Sequence, residues 1–357
     1  MNTARSRFTN VCAGCHAART DHDEETDTMP FMASLRAVVL CVPVLFACSL
    51  HAAEAATVRV GILQYGTVGW ELEVMRRFGF AEREGIRIEI TPLALKDAAN
   101  VAIQGGAVDL IANDWIWVSR QRSEGRDFVF VPYSQAVGSI MVRPDADVSV
   151  FADLRGKRLG VAGGALDKSW LLLRAYARRT EGEDAAGFVK PDFAAPPLLN
   201  ELMLRGELPA VLNFWHYGAR LEAVGMVELI DMKQILAGIG EAGELPLVGW
   251  VFTESWANAN RAALDGFLRA SAAAKQLMLE SDEVWVQLRP MMKVDDDETF
   301  HALRDGFRAG IPRTPPDVAE RVAARIFGLL AEEGGSALVG NARTLAPGTF
   351  WTGGETR

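Results

Sequence analysis

Cysteine is scarce. The 357 residues hold four, Cys12, Cys15, Cys41 and Cys48, and none follows position 48. From there on, a disulfide and a thiolate nucleophile are both excluded. Histidine is nearly as rare: beyond residue 55 only His216 and His301 remain, so no multi-histidine metal centre is expected. No G-x-S-x-G elbow offers a serine nucleophile. Basic runs are missing as well, and the formal charge of −9 argues against tracking a phosphate backbone, so nucleic acid is not an expected partner. No apolar run reaches the roughly 20 residues that a membrane-spanning helix needs.

What is present divides into a leader and a long globular remainder. Arg36, the apolar run from Ala37 to Leu50 and the small residues ending in Ala53-Glu54-Ala55 read as a secretory signal peptide over 32–55. Leu45-Phe46-Ala47-Cys48 also resembles a lipoprotein box, with Phe46 a poor fit, which leaves lipid anchoring at Cys48 as the alternative to a soluble exported protein. Cys12-Ala13-Gly14-Cys15-His16 matches the C-x-x-C-H pattern of covalent haem attachment. It precedes the export signal on which haem attachment depends. Residues 1–31 are therefore read as a mis-called extension, and no cofactor is expected.

The remainder exceeds what one hydrophobic core usually organises, so two lobes are expected. Strands at Thr57–Leu63, Arg87–Thr91, Asp109–Ala112 and Phe128–Val131 alternate with helices at Trp70–Glu84, Lys96–Gln104 and Trp115–Glu124. This order predicts a parallel sheet covered by helices. Gly138–Arg143 is a further strand. The pattern then restarts at Phe151, with helices at Leu166–Arg179, Leu198–Arg205 and Tyr217–Val224 around a strand at Ala210–Asn213. After the apolar strand Leu247–Thr253 only helices follow.

Three segments in order, Val58-Arg59-Val60-Gly61-Ile62-Leu63, Gly105-Gly106-Ala107-Val108-Asp109-Leu110 and Asp153-Leu154-Arg155-Gly156-Lys157-Arg158-Leu159-Gly160-Val161, stand behind an export signal. Over residues 57–330 the chain thereby resembles the substrate-binding proteins of nitrate/sulfonate/taurine ABC importers, whose fold thiamine-pyrimidine-precursor binding proteins share. The resemblance implies an α/β, two-lobed type II periplasmic binding protein, with doubly wound sheets joined by two crossing strands, Gly138–Arg143 and Leu247–Thr253. Lobe 1 would take 56–140 and 247–357 with the C-terminal helices, and lobe 2 would take 141–246. It further implies a periplasmic, non-enzymatic protein, expected to be a monomer, that passes a small molecule to permease and ATPase subunits. The alternatives are an accessory or sensor protein, or an enzyme, on the same fold. Eukaryotic pyrimidine synthases of similar build carry a cysteine- and histidine-rich iron site, which a chain without cysteine after position 48 does not offer.

Open α/β sheets bind ligands beyond the carboxyl ends of their strands. In lobe 1 those ends carry Gln64, Tyr65, Gly66, Thr67 and Trp70, then Asn113, Asp114 and Trp115, then Tyr133 and Ser134. In lobe 2 they carry Gly163, Gly164, Ala165, Lys168 and Ser169, then Asn213, Phe214, Trp215 and His216. The Gly163-Gly164 turn opens a helix whose N-terminus attracts anions, with Lys168 or Ser169 assisting; the same glycines would also serve a tight turn alone. The aromatic residues are core packing or a stacking clamp. Asp114 and Glu241 add negative charge that a ligand amine would meet, or serve as a helix cap and a solvated loop residue. The helix terminus favours a sulfonate or carboxylate. The aromatic and acidic set favours an amine or a pyrimidine.

Overall fold

Val58, Val60 and Ile62 alternate along the first strand and are buried, as a period of two requires of a strand packed on a core. The computed structural model describes residues 55–241 and 246–353. The export signal, Cys48 and the Cys12/Cys15/His16 motif lie outside the described residues.

The first sheet is built from β1 (Ala56–Leu63), β2 (Ile86–Leu93), β3 (Leu110–Asn113), β4 (Phe128–Ser134) and, much later, β10 (Val248–Thr253), in the order β2-β1-β3-β10-β4. Its intervening helices are α1 (Val68–Arg77), α2 (Phe80–Arg83), α3 (Lys96–Gln104) and α4 (Trp115–Ser123). The second sheet comprises β5 (Gly138–Val142), β6 (Arg158–Ala162), β7 (Lys190–Ala194), β8 (Ala210–Phe214) and β9 (Val227–Asp231), in the order β7-β6-β8-β5-β9. With it come α5 (Lys168–Glu181), α6 (Ala185–Phe188), α7 (Pro196–Leu204), α8 (Trp215–Glu222) and α9 (Met232–Gly238). The C-terminal section holds α10 (Glu254–Ala259), α11 (Arg261–Glu280), α12 (Asp282–Met292), α13 (Asp297–Ala309) and α14 (Pro316–Val339).

Both sheets are mixed, not purely parallel. β5 runs antiparallel to β8 and β9, and β10 runs antiparallel to β3 and β4. These are the two crossing strands, and each inserts next to the last strand of the sheet it enters. The first sheet therefore receives the strand after the second lobe, and the second sheet receives the strand after β4. The expected helix over 70–84 breaks in two at Gly79, whose φ of 67° ends α1 before α2 begins. Strands β7 and β9 were not foreseen. Both lie at sheet edges, and β7 contains Pro191, which an edge strand tolerates because one side of its backbone needs no partner.

Helices α11 to α13 pack on the first sheet, burying Phe267, Trp285, Leu303 and Phe307. Helix α14 reaches beyond that lobe. Its Ala319, Ala323, Ile326 and Phe327 join one apolar cluster with Trp115 and Val118 of α4 and with Leu171 and Leu172 of α5. The last long helix thus packs against both halves of the molecule.

The two halves echo each other at an offset of 100 residues. Asn113 at the end of β3 donates to Asn100 of α3 at 2.7 Å, and its side-chain oxygen accepts from the Asp114 amide at 2.8 Å. Asn213 at the end of β8 donates to Asn200 of α7 at 2.8 Å and accepts from the Phe214 amide at 2.8 Å. Each asparagine pair satisfies buried polar groups that would otherwise cost free energy, and each fixes the exit direction of its strand.

Candidate functional site

These strand exits converge on one cavity of about 360 Å³, lined from both sheets. From the first sheet come Tyr65, Gly66 and Thr67 after β1, Leu95, Lys96 and Asp97 after β2, Asn113 and Asp114 after β3, and Tyr133 and Ser134 at the end of β4. From the second come Gly163, Gly164, Asp167 and Lys168 after β6, Phe193 to Pro196 at the end of β7, and Phe214, Trp215 and His216 after β8.

The two walls differ in chemistry. Where the first lobe has Lys96 and Asp114, the second has Pro196 and Phe214 at the echoing positions. At these two positions the first wall is ionic and the second apolar, while the second wall carries its own ion pair nearby, Asp167 with Lys168. Lys96 Nζ lies 2.5 Å from Asp114 Oδ2, while Asp114 Oδ1 accepts from the Trp117 amide at 2.8 Å and so caps α4. Burial pushes the Asp114 carboxyl up, but the ammonium groups of Lys96 and Lys168 and the Trp117 amide bring it below its ordinary value. Burial likewise works against the Lys96 ammonium, and Asp114 and Asp167 together hold it above its usual range. Both groups are charged at neutral pH.

Asp167 caps α5 in the same way, its Oδ1 accepting from the Ser169 amide at 2.9 Å. Lys168 Nζ stands 3.8 Å from Asp167 Oδ2 and 5.8 Å from the centre of the Phe214 ring. The turn that makes this possible needs its glycines. Gly163 and Gly164 have φ of 86° and 93°, and a Cβ on Gly163 would meet Asp167 Oδ2 at 2.5 Å.

His216 ties the walls together. Its Nε2 lies 3.1 Å from the Tyr65 carbonyl across the cleft. Burial pushes the imidazole down to about 3, so it is neutral and Nε2 donates this bond. Beside it, the Trp215 ring packs edge-on to Trp70 at 6.3 Å. Trp215 also lies against Gly306 of α13, where a Cβ would come within 2.8 Å of the ring.

Of the residues expected at the site, thirteen line the cavity: Tyr65, Gly66, Thr67, Asn113, Asp114, Tyr133, Ser134, Gly163, Gly164, Lys168, Phe214, Trp215 and His216. Seven do not. Trp115 is wholly buried in the core beneath α4, and Trp70 sits behind Trp215. Gln64 and Ala165 are exposed outside the lining. Ser169 is buried and contributes its amide to the Asp167 cap, while Asn213 supports the β8 exit through Asn200 and the Pro196 carbonyl. Glu241 is bound by Arg325 of α14 at 2.8 Å and 2.9 Å, away from the cavity. Among the lining residues passed over are Leu95, Lys96, Asp97 and the 193–196 segment. Lys96 and 193–196 follow from the same strand-end rule once it is applied to β2 and to the unforeseen β7. Among the described residues no group of three or more His, Cys, Asp or Glu side chains could hold a metal ion.

A two-lobed α/β molecule with its cavity at the carboxyl ends of both sheets has the architecture of the periplasmic binding proteins. Residues 74–283, more than half of the chain, match the family described as NMT1/THI5 like, and the chain belongs to that family. Among solved structures, the alkanesulfonate-binding protein SsuA from Xanthomonas axonopodis pv. citri bound to MOPS aligns with a TM-score of 0.66 at 16% identity, covering 84% of this chain and 99% of that one. The periplasmic aliphatic sulphonate binding protein SsuA from Escherichia coli aligns with a TM-score of 0.63 at 18% identity, over 83% and 97%. The periplasmic nitrate-binding protein NrtA from Synechocystis PCC 6803 gives 0.55 at 13%, over 71% and 70%. At such identities these likenesses speak for the fold alone. No curated protein matches the sequence.

Proposed function

We propose that the protein captures a small organic molecule outside the cytoplasm and delivers it to the permease and ATPase subunits of an ABC importer, without transforming it. The observation that carries this reading is a cavity formed by strand ends of both sheets, with ion pairs from each side, Lys96 with Asp114 and Lys168 with Asp167, set among apolar surface. A ligand there would hold the two halves together, and opening would proceed about the crossings at 135–137 and near 246–247. Lobe 1 would comprise 56–140 and 247–357, less the part of β5 that pairs in the second sheet, and lobe 2 would comprise 141–246. The family and the folds of the sulfonate- and nitrate-binding proteins support an importer subunit. The segment at 32–55 supports export to the periplasm. The His216 imidazole in the lining is engaged in a bond to the Tyr65 carbonyl.

A thermal-shift screen of sulfonates, carboxylates, amines and pyrimidines tests the reading. A captured ligand at a hundredfold excess over its Kd should stabilise the protein by about 2.7 kcal/mol. It should also change the fluorescence of Trp215 and be recovered unmodified after denaturation. A chemically altered product would instead mark an enzyme.

A further inference from the structure

We infer that the cavity selects a ligand presenting an N–H donor, from an ammonium or amino group, to Asp167, and that it rejects ligands whose only polar group is an anion. The inference rests on the capture reading above and concerns the same cavity.

The end of α5 that would attract an anion is already taken. Asp167 is 2% exposed, and its carboxylate stands over Gly163 at the helix N-terminus, with Oδ1 accepting from the Ser169 amide. The N-terminus of α4, which also opens on the cavity, carries the Asp114 carboxylate in the same role. An incoming sulfonate would meet a negative charge at both helix ends. Lys96 is bound to Asp114 at 2.5 Å, and the Lys168 ammonium, 3.8 Å from Asp167 Oδ2 and 5.8 Å from the centre of the Phe214 ring, has its charge offset by that carboxylate without a hydrogen bond to it. The lining holds two lysines, Lys96 and Lys168, against three aspartates, Asp97, Asp114 and Asp167, so its balance is negative.

A second, independent observation points to the donor. Asp167 Oδ2 is buried and has no hydrogen-bond partner, because the Lys168 ammonium is too distant to supply one. A buried carboxylate oxygen left unpaired is costly, and a ligand donor placed on it removes that cost. Phe193, Pro196, Phe214 and Trp215, which line the cavity on the same lobe as Asp167, suit an apolar or aromatic body beside that donor.

Phenethylamine, phenethyl alcohol and phenylethanesulfonate share one body and differ in the head. Titrated into the full chain, the amine should raise the melting temperature most and the sulfonate should leave it unchanged. Asp167→Asn should weaken amine binding by about ten- to a hundredfold and abolish the preference for amine over alcohol. Asparagine caps a helix as well as aspartate, so the variant should keep the α5 cap and the fold, which circular dichroism checks. A larger shift from the sulfonate than from the amine overturns the donor assignment and leaves the capture reading intact. Amine binding that Asp167→Asn does not alter overturns it as well. No shift from any of the three overturns the donor assignment, and silence across the wider screen would bring down the capture reading with it.

Discussion

Lys275 and Glu71 form an ion pair inside the first lobe, directly behind the cavity wall. Glu71 is wholly buried; Lys275 Nζ lies 2.6 Å from its Oε2, and Ser271 Oγ donates to its Oε1 at 2.5 Å. Burial lowers the lysine below its ordinary range despite the pull of Glu71, and its ammonium sits 4.0 Å from the centre of the Tyr133 ring, which lines the cavity. Removing one partner strands a buried charge, which typically costs about 3–5 kcal/mol. Lys275→Met should lose that much in urea unfolding, and adding Glu71→Gln should recover part of it.

His216 has a different signature. Its folded pKa of about 3 lies below the roughly 6.5 of an exposed imidazole, so the opened or unfolded chain binds more protons between those values. Its contribution is complete above about pH 6.5 and is lost as pH falls toward 3, by up to about 1.4 kcal/mol per unit. Arg220, Tyr217 and Tyr65 are the other titratable groups around it, and none of them changes charge in that window. The stability of His216→Phe should fall less steeply than that of the wild type over pH 6.5 to 4. Parallel profiles would contradict this account of the imidazole.

Among the elements, the β6–α5 connection is the most exacting. Gly163 needs its positive φ and lies where any Cβ would collide with the Asp167 carboxylate. Gly163→Ala should therefore cost about 1–3 kcal/mol in thermal unfolding and disturb the α5 cap, whereas replacing an exposed residue of α5 should not. The glycine pair was legible from sequence as a turn at the cleft. Its expected role as an anion seat was not separable from the tight-turn reading, because the capping carboxylate four residues on becomes visible only in the folded turn. The edge strand β7 was missed for a physical reason: Pro191 and the charged Lys190 and Asp192 read as loop until a neighbouring strand pairs with them. With it went Phe193 to Pro196, one part of the second-lobe wall.

For the whole molecule, the restart of the strand–helix pattern at Phe151 conveyed two lobes, and the export-like leader with the ordered segments conveyed the family. What neither could convey was which surfaces meet. Glu241 pairs with Arg325 because α14 crosses to the second lobe, and Trp70 is hidden because α8 carries Trp215 onto α13. Those contacts depend on tertiary packing between distant segments, which local periodicity does not encode. The central claim is that a small molecule is held between the two sheets. It is tested most directly by calorimetric titration of the ligand found in the screen against wild type and Ala195→Trp. Ala195 lines the cavity yet is solvent-exposed and makes no side-chain cap, so an indole there should fill the site without disturbing the fold. The account predicts an unchanged ligand-free melting temperature and at least a hundredfold weaker binding, about 2.7 kcal/mol or more. Undiminished affinity in that variant would place the ligand elsewhere and contradict it.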